Sequence, residues 1–279
     1  MKKRVALCLR GGVGRQKAHI RRPNELDDYP YDINNNHHYI KKEACYNSIK
    51  KHIIDSNPEY DFDVFIHCWE LVLEKDMVEL YKPKLYKFED NTLYKGEILA
   101  KIKEQTKTMY DYSQCSHALS TKKCLELKEE YEKTNNFVYD TVILYRPDVL
   151  LWKDMILSRY LSNNIYVNRW SAGPLADFHF VMSSENATKL KWMYDDINKL
   201  SPSLMHTMFN RYITGIMKQN LLMDDIDAGI HQEVCRKIKW PLYVYKSITL
   251  DKLLDYNLSE DDIKDYHPPD TISSPGPAI

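Results

Sequence analysis

"VILYRPDVLLW", residues 142–152, decides how the rest of the chain is read. Val142 to Tyr145 form an apolar run with no polar position between them. A strand without a wet face is covered on both sides, as in a parallel α/β sheet. Arg146, Pro147 and Asp148 then interrupt the run before it resumes. Charges at the end of a buried strand, beside a proline that gives up an amide hydrogen, are costly unless they are paired or used.

Outward from that strand, strand and helix patterns alternate. RVALCL (4–9) is a short β run followed by a glycine-bearing loop. Residues 15–36 are polar, carry two prolines and clustered charges, and read as a long loop. Ile40, Ala44, Ile49 and Ile53 have helical spacing, and FDVFIHCW (62–69) is a second strand. ELVLEKDMVELY (70–81) reads as helix, PKLYKFE (83–89) as a short strand, and 95–109 and 113–134 as two helices. After the strand at 138–145 come strands at 164–168 and 178–183, then a helix from Ser184 whose start suits Glu185 and Asn186. Further helix is expected over 203–220 and 229–238, and a last strand at PLYVYKS (241–247). No repeat or low-complexity linker divides the chain, so one α/β domain over 1–267 with a loose, proline-rich tail at 268–279 is expected.

Composition agrees with a single sizeable core: 279 residues, 43% hydrophobic and 28% charged. A net charge of −1 gives no basis for binding nucleic acid or an anionic membrane. Met-Lys-Lys-Arg is followed by only five apolar residues before Arg10, so neither a leader nor an integral membrane segment is expected. The cysteines (Cys8, Cys45, Cys68, Cys115, Cys124 and Cys235) are scattered without metal-type pairs and read as reduced core thiols of a cytoplasmic protein.

In open α/β sheets, ligands collect at the carboxyl ends of the strands. The first strand ends in Arg10-Gly11-Gly12-Val13-Gly14-Arg15, the second in His67-Cys68-Trp69-Glu70, and the strand at 138–145 in Arg146-Pro147-Asp148. The late strand is entered through Trp170, Gly173, Pro174, Asp177 and His179. A G-x-G-x-x-G fingerprint starting at Gly12 fails at Lys17, and no P-loop follows. The loop is therefore either a cradle for a pyrophosphate, with Gly11 and Gly12 as bare backbone and Arg10 and Arg15 as cations, or a plain turn. His67 and Trp69 alternate onto one strand face and are either core residues or a nucleoside-stacking pair. Ser113, Gln114 and Ser116 open a helix and either cap it or face a ligand. Asp177 and His179, also two apart, suit a shared metal or a base with its orienting partner.

The segments VALCLRGGVGR, DVFIHCWE, YKPKLYKFED, SQCSHALSTKKCLELKEEYE, YDTVILYRPDVLL and DFHFVMSSENATKL succeed one another. This series resembles a loosely defined family of nucleotide-sugar glycosyltransferases. They occur in bacterial surface-polysaccharide clusters and in large, chlorovirus-like DNA viruses that glycosylate their own capsids. The resemblance extends over roughly 4–200 and rests on element order and spacing. It implies a GT-A fold, a Rossmann-like α/β/α sandwich with a mostly parallel central sheet. It implies a nucleotide-sugar donor, a UDP-linked pentose or deoxyhexose, and a glycan or glycoprotein acceptor. Its setting would be the cytoplasm, of the host if the source is viral.

In most GT-A enzymes an Asp-X-Asp motif ends the strand at 138–145 and holds a divalent metal on the donor pyrophosphate. Here Arg146 stands at the first acidic position and Asp148 at the second. A guanidinium neutralises phosphate charge without a metal. No tightly bound cofactor is expected, and at most Mn²⁺ or Mg²⁺ entering with the nucleotide sugar and touching Asp148. Otherwise Asp148 bonds the ribose or sugar, or pairs with Arg146 to tie the strand end to its loop. Arg10, Arg15 and Arg146 are the phosphate candidates. Asp177 is the first candidate base, followed by His179 and then Glu233. Two other classes stay open. One is a non-catalytic carbohydrate- or nucleotide-binding protein on the same scaffold, favoured by the missing first aspartate. The other is a nucleotidyltransferase, disfavoured because metal-assisted phosphoryl transfer uses carboxylates where Arg146 stands.

Overall fold

Along β1 (Lys3–Gly11), Val5, Leu7 and Leu9 alternate with Ala6, Cys8 and Arg10, and all six are buried. The first set packs into one apolar cluster, and Ala6 and Cys8 pack into another on the opposite face. A strand that is apolar on both sides requires a layer on each, and the chain supplies them. The computed structural model describes residues 2–12, 42–104, 112–151, 153–168, 177–200, 205–224, 226 and 228–230.

β2 (Tyr60–Cys68) and β4 (Thr141–Tyr145) flank β1 in parallel, and β3 (Leu85–Phe88) continues the sheet in parallel beyond β2. On the other side β7 (His179–Met182) is antiparallel to β4, β6 (Ile165–Asn168) is antiparallel to β7, and β8 (Leu221–Asp224) is parallel to β6. The order is β3-β2-β1-β4-β7-β6-β8. Because β7 alone is reversed, its amino end lies at the same sheet edge as the carboxyl ends of its neighbours. That reversal carries Asp177 and His179 to the edge reached by Arg10 and Arg146.

Helix α4 (Tyr112–Asn135) covers the face of Ala6, Cys8, Phe65, Val142 and Leu144 through Cys115, Ala118, Leu119, Cys124 and Leu125. Helix α1 (Lys42–Ile49), the π-helical turn Lys50–Ile54 and α2 (Glu74–Tyr81) cover the other face through Cys45, Ile49, Ile53, Met77 and Tyr81. Helix α3 (Lys95–Glu104) packs beside α4, and α5 (Ser184–Leu190) and α6 (Met205–Arg211) complete that layer. The buried Asn57 side chain donates to the carbonyls of Ile53 and Met155, each at 2.6 Å, and accepts from the Leu157 amide at 2.7 Å. It thereby fastens the segment after β4 to the helical layer.

The expected α/β/α sandwich with a mostly parallel sheet is present, four of its six strand pairings being parallel. Two local expectations are corrected. The helix expected over 203–220 is α6 followed by a π-helical turn at Tyr212–Ile216, and the chain then enters β8. The helix expected from residue 229 begins instead as β9 (Ala228–Ile230), antiparallel to β5 (Val149–Leu151). Strands of three or four residues show no period, and only their partners identify them. The helix expected from Ser184 is α5, with Glu185 and Asn186 in its first turn as expected and Ser183 as its cap, the hydroxyl accepting the Asn186 amide. Among the described residues, Cys8, Cys45, Cys68, Cys115 and Cys124 are buried and form no disulfide. No helix among the described residues is long and apolar enough to cross a membrane. The loop at 15–36, residues 231–238 of the expected helix, the strand at 241–247 and the tail at 268–279 lie outside the described residues.

Candidate functional site

The alternation that buries Ala6 and Cys8 also turns Arg10 toward α4, where its side chain is 0% exposed. One guanidinium nitrogen meets Nε2 of His117, and the other donates to the backbone carbonyl of Asp177 at 2.9 Å. The ring of Phe209 lies 5.4 Å from its central carbon. A guanidinium only donates, so His117 Nε2 accepts and the neutral imidazole carries its proton on Nδ1. Burial pushes Arg10 down to about 10, Asp177 opposes that shift, and the group stays charged at neutral pH. Arg10 therefore presents no surface to a phosphate. It organises Asp177 and His117 from beneath, a correction to its expected role as a direct ligand.

Arg146 does present surface. Its Nε and Nη2 donate to the two oxygens of Asp148 at 3.0 and 2.7 Å, and Nη1 lies 3.8 Å from Asp177 Oδ2. The Arg146 amide donates to the Phe178 carbonyl at 2.9 Å, which joins the end of β4 to the entry of β7. Asp177 Oδ2 is also 3.6 Å from His117 Nε2. Two guanidinium groups thus face two carboxylates in a cluster that is neutral as it stands. Exposure decides which member can reach a ligand: the Arg146 side chain is 20% exposed, against 6% for Asp148 and 2% for Asp177.

Asp177 and His179 do not form one centre. Asp177 precedes β7 and points into the charged cluster. His179 lies within the strand, stacks on Tyr145 with ring centroids 6.4 Å apart, and bonds Asp224 Oδ2 through Nε2 at 2.7 Å. Both side chains are buried, so neither is the open base that their spacing suggests.

At the end of β2, His67 is also enclosed. Its Nδ1 pairs with the Ser120 hydroxyl at 2.8 Å and its Nε2 with Glu89 at 3.1 Å. Burial lowers its proton affinity and Glu89 partly restores it. A ring occupied on both nitrogens and covered on all sides cannot stack on a base, so His67 is a support. Trp69 packs edge-on against it at 4.5 Å and leans on Tyr94 at 5.6 Å, half-buried. Ser116 accepts from Asn91 beside this aromatic shelf, Gln114 is buried and Ser113 is exposed.

Glu89 is the hub beneath the shelf. Burial alone would raise its pKa, but bonds from His67, Lys87, Tyr94 and Lys123 outweigh it and hold the carboxyl well below the usual range. A carboxylate depressed in the fold contributes stability above its unfolded value and loses it as pH falls through the folded one. Glu89→Ala is therefore expected to cost about 3 kcal/mol at neutral pH. The penalty should shrink in acid, as urea midpoints measured at successive pH values would record. An unchanged penalty at low pH would contradict the hub.

Gly11, at φ 104°, occupies the left-handed region that glycine alone adopts easily. A Cβ on Gly12 would meet Glu70 Oε1 at 2.8 Å. Both glycines fit the plain-turn alternative as well as the cradle, whose residues from Val13 onward lie outside the described residues. For a divalent ion the fit is poor: both Asp148 oxygens are taken by Arg146. Among the described residues, no three carboxylate, imidazole or thiol groups converge on one point. Arg15, Trp170, Gly173, Pro174, His231 and Glu233 lie outside the described residues. His117, Phe209 and Asp224 were missed from sequence. His117 had a signal, since it follows Ser113 and Gln114 by four and three residues and shares their helix face. Asp224 had none, because β8 itself was not legible.

No protein-family model matches the chain, and no curated protein matches its sequence. Among solved structures the chain is similar to mouse xyloside xylosyltransferase 1 in its apo form, at 10% identity and a TM-score of 0.39, over 94% of this chain and 96% of that one.

Proposed function

We propose that the chain is a nucleotide-sugar glycosyltransferase of GT-A type, moving a sugar from a nucleoside diphosphate to a glycan hydroxyl. The observation that carries this reading is the cluster of Arg10, Arg146, Asp148 and Asp177 at the ends of β1, β4 and β7. It lies along the same edge as the aromatic shelf of Trp69 and Tyr94. The shelf offers a face to the nucleobase, and Arg146 offers a planar fork to the diphosphate. As the bond to the sugar breaks, negative charge grows on the leaving phosphate. The fixed guanidinium meets that charge without solvent rearrangement. Drawing Arg146 onto phosphate releases Asp148, whose freed oxygens accept hydroxyls of ribose or sugar. Arg10, His117 and Asp177 hold the floor on which Arg146 moves. The resemblance in sequence supports UDP as the nucleotide and a pentose or deoxyhexose as the sugar.

One observation favours a second reading, a non-catalytic carbohydrate or nucleotide binder: an arginine, tied to Asp148 and reaching Asp177, stands where a metal-binding first aspartate would be. The glycosyltransferase reading requires nucleotide binding, and thermal shift with UDP, GDP, CDP and dTDP at millimolar concentration tests it. At one hundred times its dissociation constant, a diphosphate stabilises by about 2.7 kcal/mol. A clear rise in Tm with one of the four is expected, and no rise with any of them would remove the donor site.

A further inference from the structure

The segment that Asn57 fastens to the helical layer, residues 154–160, faces Tyr166 on β6 and Met223 and Asp224 on β8 across a cavity of about 240 Å³. Asp154, Ile156, Arg159 and Tyr160 form its near wall. We propose that this cavity binds one monosaccharide ring of the acceptor, a proposal that rests on the glycosyltransferase reading above.

Three properties of the lining point to a neutral, polyhydroxylated ring. Two carboxylates face the space, and each is held by an imidazole, Asp154 by His52 at 2.6 Å and Asp224 by His179 at 2.7 Å. A carboxylate fixed in this way keeps lone pairs for hydroxyl donors. Asp224 already accepts from His179, the Tyr160 hydroxyl and the Ile226 amide, while the Asp154 side chain is 54% exposed and has room for more. Arg159 lines the same space and forms no ion pair among the described residues, so its donors are available to hydroxyl oxygens. Tyr160 and Tyr166 meet at 82°, their centroids 4.8 Å apart, and supply flat surfaces for the C–H face of a sugar.

Other ligand classes fit less well. A phosphate would meet two carboxylates, and an apolar group would cover the Arg159 guanidinium and the outward oxygen of Asp154 without bonding either. The volume lies below the roughly 300–1,000 Å³ of pockets that enclose drug-sized ligands, so one ring fits and a longer glycan would run outward. Position also agrees: Asp224 ends β8, and its partner His179 stands two residues from Asp177, along the edge that carries the charged cluster.

Saturation-transfer NMR with methyl pentopyranosides, hexopyranosides and 6-deoxyhexopyranosides at millimolar concentration tests the assignment. Wild type, Arg159→Ala and Tyr166→Ala would each be measured with and without UDP. Transfer to at least one glycoside is expected, weakened about tenfold in either variant while the UDP thermal shift persists. Arg159 is exposed, so its variant remains informative if Tyr166→Ala fails to fold. No transfer to any glycoside, or transfer unchanged in the folded variants, overturns the cavity assignment even where UDP still binds. Glycoside binding without any nucleotide binding would instead overturn the glycosyltransferase reading and leave the cavity as a carbohydrate site.

Discussion

Arg10→Ala is expected to destabilise the protein by about 3–5 kcal/mol, the range found when one partner of a buried charge pair is removed. The guanidinium is wholly buried between His117, the Asp177 carbonyl and Phe209, and its removal leaves three kinds of group unsatisfied at once. The Asp177 carboxylate loses a nearby countercharge, its carbonyl loses a donor, and the imidazole loses the group that fixes its tautomer. Arg10→Lys keeps the charge but not the fork and should fall between wild type and alanine. Asp177→Asn in the Arg10→Ala background should recover part of the loss, because the buried charge left behind is then gone. Urea denaturation of the four proteins measures all of this. A loss below about 1 kcal/mol for Arg10→Ala, the size of an exposed pair, would show that the cluster is solvated.

Arg146→Lys should behave in the opposite way, changing stability little and turnover greatly. Its fork with Asp148 is partly exposed, and such pairs contribute about 0–1 kcal/mol. A lysine in its place retains a point charge but cannot bridge two phosphate oxygens. Transfer from the nucleotide sugar is expected to fall tenfold or more, which is about 1.4 kcal/mol of transition-state stabilisation, with the urea midpoint close to wild type. Arg146→Ala should fall further, since Asp148 and Asp177 would then face the diphosphate with less compensating charge. Equal turnover of Arg146→Lys and wild type would make the fork a structural tie between β4 and its loop.

The layers of this fold were legible because β1, β2, β4 and α4 each carry a long pattern. Val5 to Arg10 is buried on both faces, and Cys115 to Leu125 keeps a helical period over a full α4 face. Those elements place the strand ends, so gathering Arg10, Trp69, Arg146 and Asp177 at one edge followed from topology. What the residues do at that edge was not legible. Whether Arg10 points into a ligand or into α4 depends on one step of alternation, and it points into α4. The Asp177–His179 spacing suggested one centre, yet β7 starts after Asp177 and sends the two side chains to different partners. Asp224 escaped notice because β8 is four residues long and is defined by pairing with β6.

The proposed reaction is transfer from a nucleotide sugar with the Arg146 guanidinium in the place of a metal-binding acid. Its most direct test is release of nucleoside diphosphate from a panel of UDP-, GDP-, CDP- and dTDP-sugars, first in excess EDTA and then with Mn²⁺ restored. The predicted result is release from one donor that persists in EDTA and falls tenfold or more in Arg146→Lys. Absence of release from every donor, with and without Mn²⁺, would contradict transferase activity, and release that vanishes completely in EDTA would contradict the role assigned to Arg146.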